Sequence, residues 1–171
     1  IDTRFIEESY RLMKEGSALY LFTRWDVYPE WIEAVKSANF TIKNLIVWDR
    51  IMHGLGDLKG AYAPQHDFCI FATKGRHILR GNRPKDVLRY QRPSPVDLLH
   101  PTQKPIKLIR HLIKNSSDKG MFVLDPYMGS GTTAAACKQL ERDFIGFEID
   151  NEYVEKANER LRQCNLKNFF T

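Results

Sequence analysis

The stretch FVLDPYMGSGTTAAACKQLERDFIGFEID, residues 122–150, decides how this chain is read. An apolar run, Met121–Leu124, reads as a strand that ends at Asp125. A loop follows, Pro126-Tyr127-Met128-Gly129-Ser130-Gly131, and Thr132–Leu140 reads as a helix. Asp143–Ile149 is the next strand. Strand, glycine turn and helix form the arrangement that binds nucleotide-like ligands at the carboxyl edge of an α/β sheet. Gly129 and Gly131 let the backbone turn tightly and come close to a ligand with no Cβ in the way. The first turn of the helix leaves unpaired N–H groups facing that ligand. Glu148 stands at the end of the second strand, seventeen residues beyond Gly131. A carboxylate there can accept hydrogen bonds from both hydroxyls of a ribose.

Gly129-Ser130-Gly131-Thr132-Thr133-Ala134 also fits the GxGxxA pattern of dinucleotide sites. Two features count against that reading. Only 21 residues follow Asp150, so no second mononucleotide half is expected. The loop is led by Asp125-Pro126, which the dinucleotide fingerprint does not require.

Outward from this stretch, strands and helices alternate. Arg4–Lys14 places Phe5, Ile6, Tyr10 and Met13 at helical spacing, and Gly16 ends the pattern. Ser17–Thr23 reads as a buried strand. Tyr28–Ala38 is a helix with Pro29 in its first turn and Trp31, Ile32, Val35 and Ala38 on one face. Thr41–Trp48 is rich in β-branched residues and reads as a strand, as does Asp67–Thr73. His53–Ala63, with three glycines, is a loop. Pro105 opens a helix with an apolar stripe of Leu108, Ile109, Leu112 and Ile113, and Asn151–Cys164 is an amphipathic helix. Such alternation predicts an α/β protein with a mostly parallel sheet and helices on both faces.

The chain has 171 residues, 43% of them hydrophobic, which suits one folded domain over residues 1–171. No apolar run can span a bilayer and no signal peptide is legible, so a cytoplasmic protein without a membrane partner is expected. Cys69, Cys137 and Cys164 lie far apart with no metal-ligand spacing, which predicts idle thiols and no metal site. Trp25 and Trp48 are expected in the core, with a place in a pocket wall as the alternative. Net charge is +5 and pI about 9.1. The excess concentrates between Lys74 and Arg92, where seven cations face a single acid, Asp86. Gly81, Pro84, Pro93 and Pro95 make this stretch irregular.

Asp125-Pro126-Tyr127-Met128-Gly129-Ser130-Gly131-Thr132-Thr133 resembles the cofactor loop of DNA amino-methyltransferases, usually written DPFxGSGTT. Only tyrosine at 127 departs from it, and the aromatic ring is kept. Phe147-Glu148-Ile149-Asp150 resembles that family's ribose-binding strand end, and His100-Pro101-Thr102-Gln103-Lys104-Pro105 matches its HPTQKP segment letter for letter. Asn44-Leu45-Ile46-Val47-Trp48-Asp49 is similar to the family's strand ending in VW. Gln65-His66-Asp67 is similar to its HE segment, with aspartate in place of glutamate. The cofactor loop comes last, as in the circularly permuted (β) group.

The resemblance implies a Rossmann-like methyltransferase fold and S-adenosylmethionine as cofactor. The cofactor set it implies is His100, Thr102, Lys104, Asp125, Pro126, Tyr127, Gly129, Ser130, Gly131, Thr132, Glu148 and Asp150. Within that set, Thr102 and Lys104 hold the methionine carboxylate, to which a hydroxyl and an ammonium are suited. The implied reaction is methyl transfer to adenine N6 in double-stranded DNA, since HPTQKP is more typical of adenine-N6 enzymes. Cytosine N4 and a catalytically inactive nucleic-acid-binding relative are the alternatives. The family's D/N/S-P-P-Y/F/W catalytic motif is absent, so no catalytic residue is named, and by the family's order the motif is expected before Ile1. Target recognition falls in the short basic insert, about residues 74–99. There Arg76, Arg80, Arg83, Lys85, Arg89 and Arg92 are expected to contact phosphates. A homodimer and a cognate restriction nuclease are the partners the family offers beyond DNA.

Overall fold

The structure is a computed structural model that describes residues 3–94, 96 and 98–167. Pro95 and the Cys164 thiol lie outside what is described. The chain divides into two compact units, one running to Gln91 and one from Arg92.

In the first unit, α1 (Arg4–Leu12), β1 (Ala18–Thr23), α2 (Tyr28–Ser37), β2 (Thr41–Asp49), β3 (His66–Thr73) and β4 (Val87–Arg89) follow one another. Their sheet has the order β1-β3-β2-β4. β1 and β2 both run antiparallel to β3, and β4 runs parallel to β2. β1, β2 and β4 therefore share one direction, and β3 alone departs from the mostly parallel sheet expected from the alternation. A helix, α2, connects β1 to β2 and lets them run the same way. Residues 50–65 connect β2 to β3 with no helix, and a strand reached without a crossover returns antiparallel.

The helical spacing read in Arg4–Lys14 and Tyr28–Ala38 forms the core of this unit. Ile6, Val35, Ala38 and Phe40 bury against Ile70 and Ala72 of β3, with Phe5, Tyr10, Met13, Trp31 and Ile32 packed around them. Each fully buried Ile or Val contributes about 1.5–3 kcal/mol. Edge-on ring pairs tie α1 to α2 through Phe5 and Trp31 at 5.9 Å, and to the residue before β2 through Tyr10 and Phe40 at 4.9 Å. Lys74 closes the unit: its Nζ donates to the carbonyls of Tyr10 and Met13, each at 2.8 Å, at the end of α1.

The second unit holds α3 (Ile106–Ser116), β5 (Phe122–Asp125), α4 (Thr132–Gln139), β6 (Asp143–Gly146) and α5 (Asn151–Lys167). β5 and β6 pair in parallel, Phe122 opposite Asp143 and Asp125 opposite Gly146. The predicted stripe of α3, Leu108, Ile109, Leu112 and Ile113, is buried. α4 is small on every side, and Ala134, Ala135, Ala136 and Cys137 are all fully buried. That lets α3 and α5 pack close to it. Arg142 donates to the Ser117 carbonyl at 2.7 Å and so ties the end of α3 to the start of β6. Among the described residues no helix is long and apolar enough to cross a membrane.

Candidate cofactor-binding site

The glycine loop is stitched at both sides. Asp125 Oδ1 accepts the Tyr127 N–H at 3.1 Å, which turns the chain after β5. Phe147 N–H donates to the Asp125 carbonyl at 2.9 Å, and Met128 N–H donates to the Phe147 carbonyl at 2.8 Å. The parallel ladder thus continues past β6 into the loop. Gly129 and Gly131 both adopt left-handed backbone, at φ +52° and +75°, and Gly131 is the residue that starts α4. A Cβ at Gly131 would lie 2.8 Å from the Cβ of Ala157, so glycine is needed there for conformation and for space. At Gly129 a Cβ would lie 3.4 Å from the His100 ring.

Glu148 closes over this turn. One carboxylate oxygen accepts the Gly129 N–H at 2.8 Å; the other accepts the N–H groups of Ile149 and Asp150 at 2.9 and 3.0 Å. Three N–H donors hold the carboxylate rigid, while a carboxylate offers about four acceptor directions. The predicted carboxylate therefore stands beside the predicted glycine.

The HPTQKP segment reaches the same place. The His100 ring lies 4.4 Å from that of Tyr153 on α5. Its Nδ1 accepts the Thr102 N–H at 3.2 Å, with the Thr102 hydroxyl 3.1 Å away. Lys104 Nζ donates to the Thr102 carbonyl at 3.0 Å, which ties the ammonium to the backbone of this segment.

Sequence reading missed the residue that joins the two motifs. Gln103 Oε1 accepts from the buried Ser130 hydroxyl at 3.2 Å and from the Leu99 N–H at 3.0 Å. It stands inside the quoted segment, but nothing about a glutamine there announces a partner 27 positions away. Tyr153, Ala157 and Arg160 were also missed as site residues; their spacing of four and three puts them on one face of α5. Tyr153 meets His100, Ala157 meets Gly131, and Arg160 donates to the Thr132 hydroxyl at 3.0 Å.

Two expected cofactor residues are occupied otherwise. The Thr132 hydroxyl is turned to Arg160. Asp150 Oδ1 accepts the Glu152 N–H at 2.9 Å, which caps α5. Tyr127 is exposed, and Pro126 is half-buried in the turn before it. A shallow hollow lined by Phe122, Lys138, Arg142 and Phe144 lies at the opposite, amino end of β5 and β6. Burial pushes the Cys137 thiol up to about 12, with the Asp125 charge adding to the effect, so it is inert at neutral pH.

The expected phosphate contacts divide. Arg76, Arg83 and Lys85 are exposed. Arg80 donates to the Ile78 carbonyl at 2.6 Å, Arg89 pairs with Asp49 at 2.9 Å, and Arg92 donates to the Pro101 carbonyl at 2.7 Å. Trp48 is buried as expected, its indole N–H donating to the Tyr90 carbonyl at 2.7 Å. Trp25 is 68% exposed, which corrects its expected place in the core. It stands in the short turn between β1 and α2, where no strand or helix periodicity directs it inward.

The glycine turn can offer backbone donors and a helix start to an anion or nucleotide, with a carboxylate, a histidine ring and an ammonium within the same unit. Comparison with known proteins agrees with that chemistry. A family model described as DNA methylase matches residues 3–159. The chain is 31% identical over 182 aligned residues to the type II methyltransferase M.HpaI of Haemophilus parainfluenzae, which covers 92% of this chain and 57% of that protein. It is 28% identical to the type II methyltransferase M2.MboI of Moraxella bovis, covering 97% of this chain and 67% of the other. The chain therefore spans a little over half of M.HpaI and two thirds of M2.MboI. Among solved structures, the complex of M1.HpyAVI with S-adenosylmethionine superposes with a TM-score of 0.81 at 29% identity, over 93% of this chain and 81% of that one. The cytosine-N4-specific PvuII DNA methyltransferase shares the fold, with a TM-score of 0.80 at 16% identity. This chain belongs to the N6/N4 DNA methylase family and has its Rossmann-like α/β fold.

Proposed function

We propose that this chain binds S-adenosylmethionine at the glycine loop and that the protein methylates adenine N6 in double-stranded DNA. The observation that carries the reading is the meeting of two distant segments: Gln103 ties the HPTQKP segment to Ser130, and His100 and Glu148 flank Gly129. The residues suit the cofactor. Left-handed glycines keep Cβ atoms out of the cradle, Glu148 keeps an acceptor direction for a ribose hydroxyl, and Lys104 with Thr102 offers an ammonium and a hydroxyl to an α-carboxylate.

When bound, the cofactor supplies an electrophilic methyl group on a sulfonium. The chain's own residues bind and orient. Glu148 fixes the ribose end, and Lys104 fixes the amino-acid end. Such positioning, with the target amine in line, carries most of the rate in a transfer that needs no covalent enzyme intermediate. The buried Cys137 agrees, being unsuited to act as a nucleophile. The D/N/S-P-P-Y/F/W motif that would hold the amine is not among residues 1–171, so no residue of this chain is assigned that role. The letter-for-letter HPTQKP segment favours adenine over cytosine N4.

Calorimetric titration with S-adenosylhomocysteine, with NADH as a control, tests the cofactor assignment. Saturable binding of the former alone, lost in Glu148→Ala and Lys104→Ala, is expected. Binding of NADH alone would return the loop to the dinucleotide reading.

A further inference from the structure

Between β2 and β3 the chain leaves the sheet for residues 50–65. The neck of this loop is tightly stitched. Arg50 N–H donates to the Gln65 carbonyl at 2.9 Å, and Gly54 N–H to the Pro64 carbonyl at 2.8 Å. The Arg50 guanidinium adds a bond to the Pro64 carbonyl at 2.7 Å. Asp49 Oδ1 accepts from the Ile51 N–H at 2.7 Å and from the Gln65 amide at 2.9 Å. Further out, Asp57 Oδ1 accepts the N–H groups of Lys59 and Gly60, both at 3.0 Å, and folds the tip. Ile51 is held at φ +71°, a conformation β-branched residues avoid and one that clusters at functional sites.

This well-tied loop turns its apolar side chains outward. Met52 is 66% exposed, Leu55 80%, Leu58 81% and Tyr62 fully exposed. A chain gains nothing by ordering such side chains in water, so several of them on one tied loop point to a contact. What it contacts is indicated by its neighbour. The loop springs from the carboxyl end of β2, where Asp49 stands in register with Arg89 of β4 and pairs with it. The Gln91 amide lies 3.9 Å from the Met52 sulfur. The basic stretch therefore ends against the root of the apolar loop, within one unit.

The loop carries an exposed cation of its own, Lys59, next in sequence to Leu58, and a cation among outward apolar side chains matches the two parts of a DNA duplex, phosphates and stacked bases. Proteins that kink or open a duplex insert Leu, Ile, Met or Phe between base steps in this way. An enzyme that acts on a base must take it out of the stack, and something must fill or hold the gap. We propose that Leu55, Leu58 and Tyr62 form a wedge that enters the duplex beside the target base and holds it extruded. This rests on DNA being the substrate.

The test uses the full-length protein. DNA methylated by the wild type is sequenced to map the target, and a duplex with 2-aminopurine at the target position reports extrusion by fluorescence. In Leu55→Ser, Leu58→Ser and Tyr62→Ala the fluorescence rise is expected to fall about tenfold, as is kcat on paired DNA. Affinity for S-adenosylhomocysteine and Tm should stay unchanged. A mismatch opposite the target should restore most of kcat, because the base is already unstacked. Wild-type extrusion in the variants would overturn the wedge and leave the methyltransferase reading standing. A lowered Tm without a mismatch rescue would assign the loop to packing within the protein and also overturn it. Absence of methylation by the wild type would remove the DNA reading, and the wedge with it.

Discussion

At the scale of single residues, the two left-handed glycines differ from each other in what they protect. Gly131→Ala must place a Cβ 2.8 Å from that of Ala157 while holding φ at +75°, so strain and overpacking add. Gly120 has nearly the same φ, +74°, but open space around it. Gly131→Ala should therefore destabilise by about 2–4 kcal/mol and Gly120→Ala by about 1–2 kcal/mol, read as shifts of the denaturation midpoint. Equal shifts would mean that Ala157 yields freely. Cys137 offers a second check. With its thiol pushed up to about 12 by burial, it should resist iodoacetamide in the folded protein at pH 8 and react once denatured. His111 gives a pH dependence. Burial lowers its pKa below the ordinary histidine value, so the unfolded chain takes up a proton before the folded one. Stability is present above about pH 6.5 and should decline as pH falls below that value. His111→Gln should flatten this part of the curve in denaturant titrations at pH 7.5 and 5.5.

Elements were legible where their period was long or their punctuation chemical. β5, α4 and β6 were read from an apolar run, two glycines and a carboxylate, and α1, α2 and α3 from stripes of four or more apolar residues. β4 was not foreseen: Val87-Leu88-Arg89 is three residues among arginines and prolines, too short to show a period, and its stability comes from pairing with β2. The direction of β3 was not legible for a related reason. A strand's own residues carry no direction, and only the helix-free connection before it signals an antiparallel return. At the site, glycines and carboxylate were legible as chemistry, whereas Gln103, Tyr153 and Arg160 act through partners far along the chain. That yields a prediction for the joint between elements. Gln103→Ala should weaken S-adenosylhomocysteine binding about tenfold by freeing the HPTQKP segment from Ser130, with Tm little changed. An unchanged affinity would mean that the segment holds its place without this bond.

For the whole molecule, charge and family membership set the remaining expectations. The net charge of +5 is concentrated before Arg92, and Arg76, Arg83 and Lys85 are exposed there. Reversing these three to Glu should lower DNA affinity uniformly across sequences and flatten its dependence on salt. An unaltered salt slope would return them to an ordinary solvated surface. The central claim is methylation of adenine in DNA, and mass spectrometry of nucleosides tests it most directly. DNA from a methylation-deficient host expressing the full-length protein should contain N6-methyladenine, and none should appear with Glu148→Ala. N4-methylcytosine in its place, or unmodified DNA from a well-folded protein, would contradict the account.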